Sequence, residues 1–376
     1  MIAPSRAELL VTDAERYLAA TRAKAAGKLV VGLVGAVVPS ELVVAAGCTP
    51  VTLTARAADW GLAAEPMEEE HEAEVRSLFR QAVAGEFEFC DLMVLPSTSD
   101  GLRYLFQYLK EMQRTGRGQR IPPLVCYDFL FGRSPAVRRY SAQVFDEFAH
   151  RLSILTGAPI GDEALRRAIV TGNAVRAQLQ RLNELRRAGR VSGCAAQQAL
   201  RAGAFLDPGD YLARLSAWID ARAADPRLPA SPRLLLVPAV PLYHDRLHQL
   251  VESAGALVVG EDDEWGANWA GAAIDPTQPP ATALFSHYYD HAWSQRMPRA
   301  QRERWYTEQV QAGAADGVVF YLPPSDQFFG WRYPALKTLA EGAGLRTLLI
   351  REDALDPAAT ATITDKVRGF LAGGRP

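Results

Sequence analysis

Cysteine is scarce. Cys48, Cys90, Cys126 and Cys194 are the four in 376 residues, and no two of them form a CxxC or similar local pair. No zinc site is legible from such spacing, and the thiols read as small buried hydrophobes. Charge of one sign is lacking as well, with 41 Lys+Arg against 43 Asp+Glu and a formal net charge of -2. A chain so balanced carries no basic field to neutralise a run of phosphates and shows no nucleic-acid motif, so nucleic acid is not an expected partner. No apolar run approaches the ~20 residues of a membrane helix, and the amino terminus lacks the basic, apolar and small-residue order of a secretion signal. The expected location is cytoplasmic, with no membrane partner. Phosphate-loop and dinucleotide fingerprints are missing too, because the stretch from Gly32 to Ser40, GLVGAVVPS, matches neither.

What is present is a chain with 48% hydrophobic and 22% charged residues, enough for two or three domains with real cores. Short apolar runs at Leu29 to Leu33, Pro50 to Leu53, Leu92 to Leu95 and Leu124 to Tyr127 alternate with helical spacing at Pro39 to Ala46, residues 71 to 84 and Leu102 to Met112. From about Ser134 to Asp225 the composition turns to Ala, Leu, Arg and Gln, with one long helix over 162 to 187. Its arginines, including Arg166, Arg167, Arg176, Arg181, Arg186 and Arg187, are expected on a solvated face. After the proline-rich joint Pro226 to Pro232 the strand and helix alternation restarts: strands at Leu234 to Val237, Ala256 to Val259, Gly317 to Tyr321 and Arg346 to Ile350, helices at His244 to Ala254, Gln301 to Ala312 and Pro334 to Gly342. The reading is an α/β protein: an amino-terminal α/β lobe over 1–133, a helical connector over 134–230 and a carboxyl-terminal α/β lobe over 231–376, each lobe built on a parallel sheet.

Two segments in different halves match. Cys90-Asp-Leu-Met-Val-Leu-Pro-Ser-Thr-Ser-Asp100 and Asp316-Gly-Val-Val-Phe-Tyr-Leu-Pro-Pro-Ser-Asp326 are each an apolar strand ending at Pro and then Ser-Asp. Ligands sit at the carboxyl ends of parallel strands, which marks Ser99, Asp100, Ser325 and Asp326 as candidate edges of one cleft. The alternative is helix capping, since Ser and Asp accept hydrogen bonds from the free amides of a first turn. Ser40, after the Gly35 turn, can help meet an anionic or carbonyl group, and Glu41 either serves catalysis or complements a helix dipole. The acidic run Glu261 to Glu264 reads as loop or cleft wall. His287 and His291 are polar candidates amid a crowd of aromatics, Phe285, Tyr288, Tyr289 and Trp293, that either wall a pocket or pack a lobe edge. His244 and His248 have i,i+4 spacing, but HDRLH lacks the glutamate of metalloprotease chemistry, so no metal site is expected.

Val37-Val-Pro-Ser-Glu-Leu-Val-Val-Ala-Ala-Gly-Cys-Thr-Pro-Val51 resembles the Val-Pro-x-Glu-Leu/Ile-x-x-Ala-Ala-Gly-x-x-Pro-Val signature of the 2-hydroxyacyl-CoA dehydratase and benzoyl-CoA reductase subunit family. Thr156-Gly-Ala-Pro-Ile with Asn173 and Arg176, Gly260-Glu-Asp-Asp-Glu-Trp-Gly266, Asp316-Gly-Val-Val with Ser325-Asp326, and Pro334-Ala-Leu-Lys337 extend the resemblance over nearly the whole chain. It implies two flavodoxin-like lobes with a helical insert, a related second subunit or a homodimer, and an acyl-CoA substrate. It also implies a cluster held between the lobes by three cysteine thiolates, fed one electron at a time by an ATP-driven activator.

The chain departs from this pattern where cysteines are expected before Asp100 and Asp326, because Ser99 and Ser325 stand there and none lies near His291. Serine oxygen is a hard donor with a pKa far above neutrality, unsuited to an iron–sulfur cluster. The expectation is no cofactor bound by this chain, with the cluster left to a partner subunit. Three readings follow: a cluster-free subunit that binds the acyl-CoA or completes a heteromeric dehydratase (lyase) or reductase; a non-redox enzyme using Ser99, Asp100, Glu41, His287 and His291 for acid–base work, with Ser325, Asp326, Ser40 and Trp293 as further candidates; or a scaffold without substrate.

Overall fold

The computed structural model describes residues 9, 11–67, 71–132, 134–265, 271–291, 298–312, 315–326 and 328–373. The first lobe contains α1 (Leu18–Ala25), β1 (Val30–Leu33), α2 (Ser40–Ala45), β2 (Thr49–Thr52), α3 (Ala73–Val83), β3 (Leu92–Pro96), α4 (Asp100–Arg114) and β4 (Leu124–Tyr127). Four helices follow: α5 (Pro135–Thr156), α6 (Asp162–Arg187), α7 (Gly193–Ala202) and α8 (Pro208–Ala223). The second lobe contains β5 (Arg233–Pro238), α9 (Arg246–Ser253), β6 (Leu257–Glu261), α10 (Pro280–His291), α11 (Arg299–Ala312), β7 (Gly317–Tyr321), α12 (Tyr333–Gly342), β8 (Arg346–Ile350) and α13 (Thr360–Ala372).

Each sheet has four parallel strands, in the orders β2-β1-β3-β4 and β6-β5-β7-β8. The same order occurs twice, and it is the flavodoxin-like arrangement, whose crevice opens where neighbouring strands send the chain to opposite faces. In the first lobe that point lies between β1 and β3; in the second it lies between β5 and β7. The strands form because their apolar residues are covered on both faces: β1, β3, β5, β6 and β7 are buried almost throughout. Helix α4 shows the corresponding logic for a helix, burying Leu102, Leu105, Leu109 and Met112 at three and four spacing. Among the described residues no helix is long and apolar enough to cross a membrane.

Helix α10 comes late in the chain, yet its Phe285, Tyr288 and Tyr289 pack into the first lobe's core with Val31, Val94, Phe129 and Phe145. The predicted helix over His244 to Ala254 begins instead at Arg246, leaving His244 outside it. His248 is wholly buried, and its Nε2 meets Glu261 Oε1 at 2.7 Å.

The solvated arginine face expected on α6 is only partly there. Arg166, Arg167 and Arg181 do lie exposed, donating to Pro276, Glu163 and Asp220. Arg176 and Arg186 are buried, because each has a carboxylate to meet: Glu41 of α2 for the first, Glu261 of β6 for the second. Arg186 donates from Nη1 to Glu261 Oε2 at 2.9 Å and from Nη2 to Oε1. Burial pushes the Glu261 carboxyl up, but Arg186 and His248 together pull it down to about 2. A folded-state value below the ordinary one means that this contribution is complete above the usual carboxylate range. It is lost as pH falls from about 4.5 towards 2. Replacing Glu261 by Ala strands the Arg186 charge in the interior, and the expected cost is about 3–5 kcal/mol by urea denaturation at pH 7.

Candidate functional site

At the first switch point β1 runs into a turn at Gly35, φ +70, and then α2, while β3 runs through Ser97 to Ser99 into α4. At the second, β5 leads to Val240 and Tyr243, and beside it β6 leads to Asp263 and Glu264. These strand ends come together around two cavities. The smaller, of about 50 Å³, lies between Glu72, Glu74, Thr98 and Ser99 of the first lobe and Val240, Tyr243 and Glu264 of the second. The larger, of about 140 Å³, is lined by Ser40 and Glu41 of α2, Gly172 and Arg176 of α6, and His287, Tyr288 and His291 of α10. Glu264 belongs to both walls.

In the larger cavity Glu41 is buried with both oxygens engaged. Arg176 Nη2 donates to Oε1, and the Tyr288 hydroxyl donates to Oε2 at 2.8 Å. Burial pushes the carboxyl up, yet the Arg176 charge and the Tyr288 hydrogen bond outweigh it and hold Glu41 below its usual range. Gly172 permits this approach, since a Cβ there would stand 2.8 Å from Glu41 Oε1 and 2.9 Å from Arg176 Nη1. Asn173, one residue on, holds the segment leading to α10: its Nδ2 donates to Ile274 O, and Ile274 N donates to its Oδ1, both at 2.8 Å. Burial, followed by the charge of Arg176, lowers His287 to about 4, so its imidazole is neutral at physiological pH. His291 lies one turn further along α10, exposed, with ring centroids 5.7 Å apart. That spacing was visible in the sequence as i,i+4 and was not singled out. Trp293 lies outside the described residues.

Around the smaller cavity, the Ser-Asp corners are held by local chemistry. Ser99 is the N-cap of α4, its Oγ accepting from Leu102 N at 3.1 Å. Asp100 is the first residue of α4, exposed, with Arg103 at 3.9 Å. Asp326 accepts from the amides of Phe328, Phe329 and Gly330 at 3.1, 2.8 and 2.7 Å, so its carboxylate organises the turn after β7. Ser325 is half-buried and, like Asp326, lines neither cavity, although the charges of both Asp100 and Asp326 reach Glu72. Burial raises Glu72 and, with help from Asp353 and the Glu72 charge, carries Glu74 to about 7. Burial likewise brings Glu264 to about 7, against hydrogen bonds from Ala36 N and the Trp265 side chain. Of the acidic run, then, Glu261 is a buried ion-pair partner and Glu264 a cavity wall.

The thiols are dispersed. Cys48 precedes β2, Cys90 precedes β3 at the edge opposite Ser99, Cys126 is exposed on β4, and Cys194 lies in α7. Burial raises all four above the ordinary thiol value, Cys48 to about 11, and a protonated thiol is a poor ligand. Among the described residues no three His, Cys, Asp or Glu side chains stand close enough together to hold a metal ion.

Two doubly wound lobes whose strand ends meet over a partly polar cavity define a two-lobed α/β protein. The chain belongs to the family of the 2-hydroxyglutaryl-CoA dehydratase D-component, whose model matches residues 36–371. It is thus a 2-hydroxyacyl-CoA dehydratase-type subunit. It is also similar to the (R)-phenyllactyl-CoA dehydratase beta subunit of Clostridium sporogenes, 20% identical over 337 residues that cover 87% of each chain.

The capping geometry has a direct consequence. Ser99→Ala removes the acceptor at the start of α4 and is expected to lower stability by about 1 kcal/mol, whereas Ser325→Ala should change it by under about half that in the same denaturation series.

Proposed function

We propose that this chain binds an acyl-CoA-type compound, with the acyl part in the larger cavity, and leaves iron–sulfur chemistry to a related partner subunit. The observation that carries the reading is the assembly of that cavity. Ser40 and Glu41, from the signature that resembles the dehydratase family, are brought against His287, Tyr288 and His291 from the other half of the chain. Val44, Val175, Leu179 and Tyr211 supply apolar wall, and neutral His287 supplies a hydrogen-bonding edge without a charge. Polar groups set beside apolar wall are what orient a small ligand. Glu41, ionised and locked to Arg176 and Tyr288, holds the cavity wall in place in this reading.

The chemistry of the donors supports leaving the cluster elsewhere. Soft thiolates hold such clusters; here the strand ends offer serine hydroxyls, and the four thiols neither converge nor sit in surroundings that ionise them. No step of the reaction is therefore assigned to a cluster in this chain.

Calorimetry with a panel of acyl-CoAs, on the chain alone and with its dehydratase partner, tests the reading. Binding is expected to depend on the acyl group, and Val175→Trp, which fills the cavity, is expected to weaken it at least about tenfold, or about 1.4 kcal/mol. Iron and acid-labile sulfide in anaerobically purified chain should be far below stoichiometric. Failure of every acyl-CoA to bind either preparation refutes the substrate assignment; a full complement of iron and sulfide refutes the division of labour.

A further inference from the structure

Glu264 is the residue shared by both cavities, and nothing in the signature or the Ser-Asp corners singles it out. It extends from the end of β6 in the second lobe to the β1–α2 turn of the first. There Ala36 N donates to its Oε2 at 3.4 Å, and a Cβ at Gly35 would stand 3.6 and 3.7 Å from its two oxygens. It is only 7% exposed. Among the described residues lining the two cavities, no cation faces it unpaired from either side. On the smaller-cavity side stand Glu72, Glu74 and Tyr243, with Asp263 next to it in the chain. On the larger-cavity side the Arg176 charge is already neutralised by Glu41, His287 is uncharged, and His291 lies towards solvent.

We propose that Glu264 is the carboxyl through which the cleft exchanges a proton with its bound acyl compound. This rests on the acyl-CoA reading above and adds the group that does the acid–base work. Glu41 is unsuited to that work, since both of its oxygens are occupied and its charge is fixed by Arg176. Glu264 has the opposite surroundings: burial disfavours its charge, while the Ala36 N–H and the Trp265 side chain stabilise the anion when it forms. The transfer balances without a redox partner. The O–H bond of Glu264 breaks, the proton goes to an oxygen of the ligand, and the carboxylate left behind is held by Ala36 N–H. One proton returned from ligand or solvent restores the acid. A carboxyl poised near neutrality suits either direction.

Infrared difference spectra across pH 5 to 9 read the group directly in the full chain. A carbonyl band of a protonated carboxyl is expected to disappear with a midpoint near pH 7, to be absent in Glu264→Gln and to persist at a shifted position in Glu264→Asp. Glu74 titrates in the same range, so Glu74→Gln identifies its share of the signal. Calorimetry with an acyl-CoA in buffers of different ionisation enthalpy then reads proton exchange on binding, which Glu264→Gln should abolish while Glu264→Asp retains it. A band unchanged in Glu264→Gln, or binding heats independent of buffer in the wild type, overturns the inference. No acyl-CoA binding by the wild type, with the Glu264 band present, overturns instead the substrate reading on which it rests.

Discussion

Helix α6 holds the molecule together through two buried arginines. Ten residues separate Arg176 from Arg186, which is about 15 Å along a helix, and each guanidinium ends on a carboxylate of a different lobe. Pairs of this kind add little net stability, because removing both charges from water costs nearly what their attraction returns. Their effect is on arrangement. A displacement of α6 by one turn would leave two guanidinium groups and two carboxylates buried without partners, at several kcal/mol each, whereas an apolar contact could re-pack at much smaller cost. The helix is thereby held in register with both sheets, and the cavity walls it contributes, Gly172 and Arg176, are held with it.

The same constraint sorts the buried acids into two populations. Glu41 and Glu261 each have an arginine and a further hydrogen-bond donor, Tyr288 or His248, and both are held below the usual carboxylate range. Glu74 and Glu264 have no arginine paired with them, and burial carries both to about 7. The first pair lose stabilising charge as the solution is acidified; the second pair oppose compactness as it is made alkaline, because their folded values lie above the unfolded ones. Stability at the cleft is therefore bounded on both sides of neutrality by groups only a few residues apart in sequence: Glu261 and Glu264 sit on opposite arms of that balance.

How much of this could be read from residue order follows from the range of the interactions. Both sheets were legible because buried parallel strands are continuous apolar runs, and the break at the proline joint is local backbone chemistry. Ser99 and Asp326 were legible as caps for the same reason, since their partners lie within a few residues. Arg176 and Arg186 were misassigned to a solvated face because a charge looks exposed until its partner is known. Those partners stand far away in the chain, 135 residues for Glu41 and Arg176. The packing of α10 into the first lobe was hidden likewise; Glu264 was legible as loop or cleft wall, but the burial that raises its carboxyl was not.

Ser99 and Ser325 pose a last question of chemistry. The resemblance puts thiolates at these two positions, and the structure shows what the hydroxyl does at one of them: Ser99 accepts from Leu102 N and starts α4. A thiolate at a helix start is stabilised as an anion by the same free amides and is available to a metal, while serine at neutral pH offers those amides a neutral acceptor and no more. On the reading proposed here, one atom change from sulfur to oxygen converts the helix terminus from a place that prepares a ligand into a place that only caps a helix. The acids then acquire the polar part of the cleft. On that reading what remains between the lobes is a set of carboxyls, and Glu264 is the one that reaches both cavities.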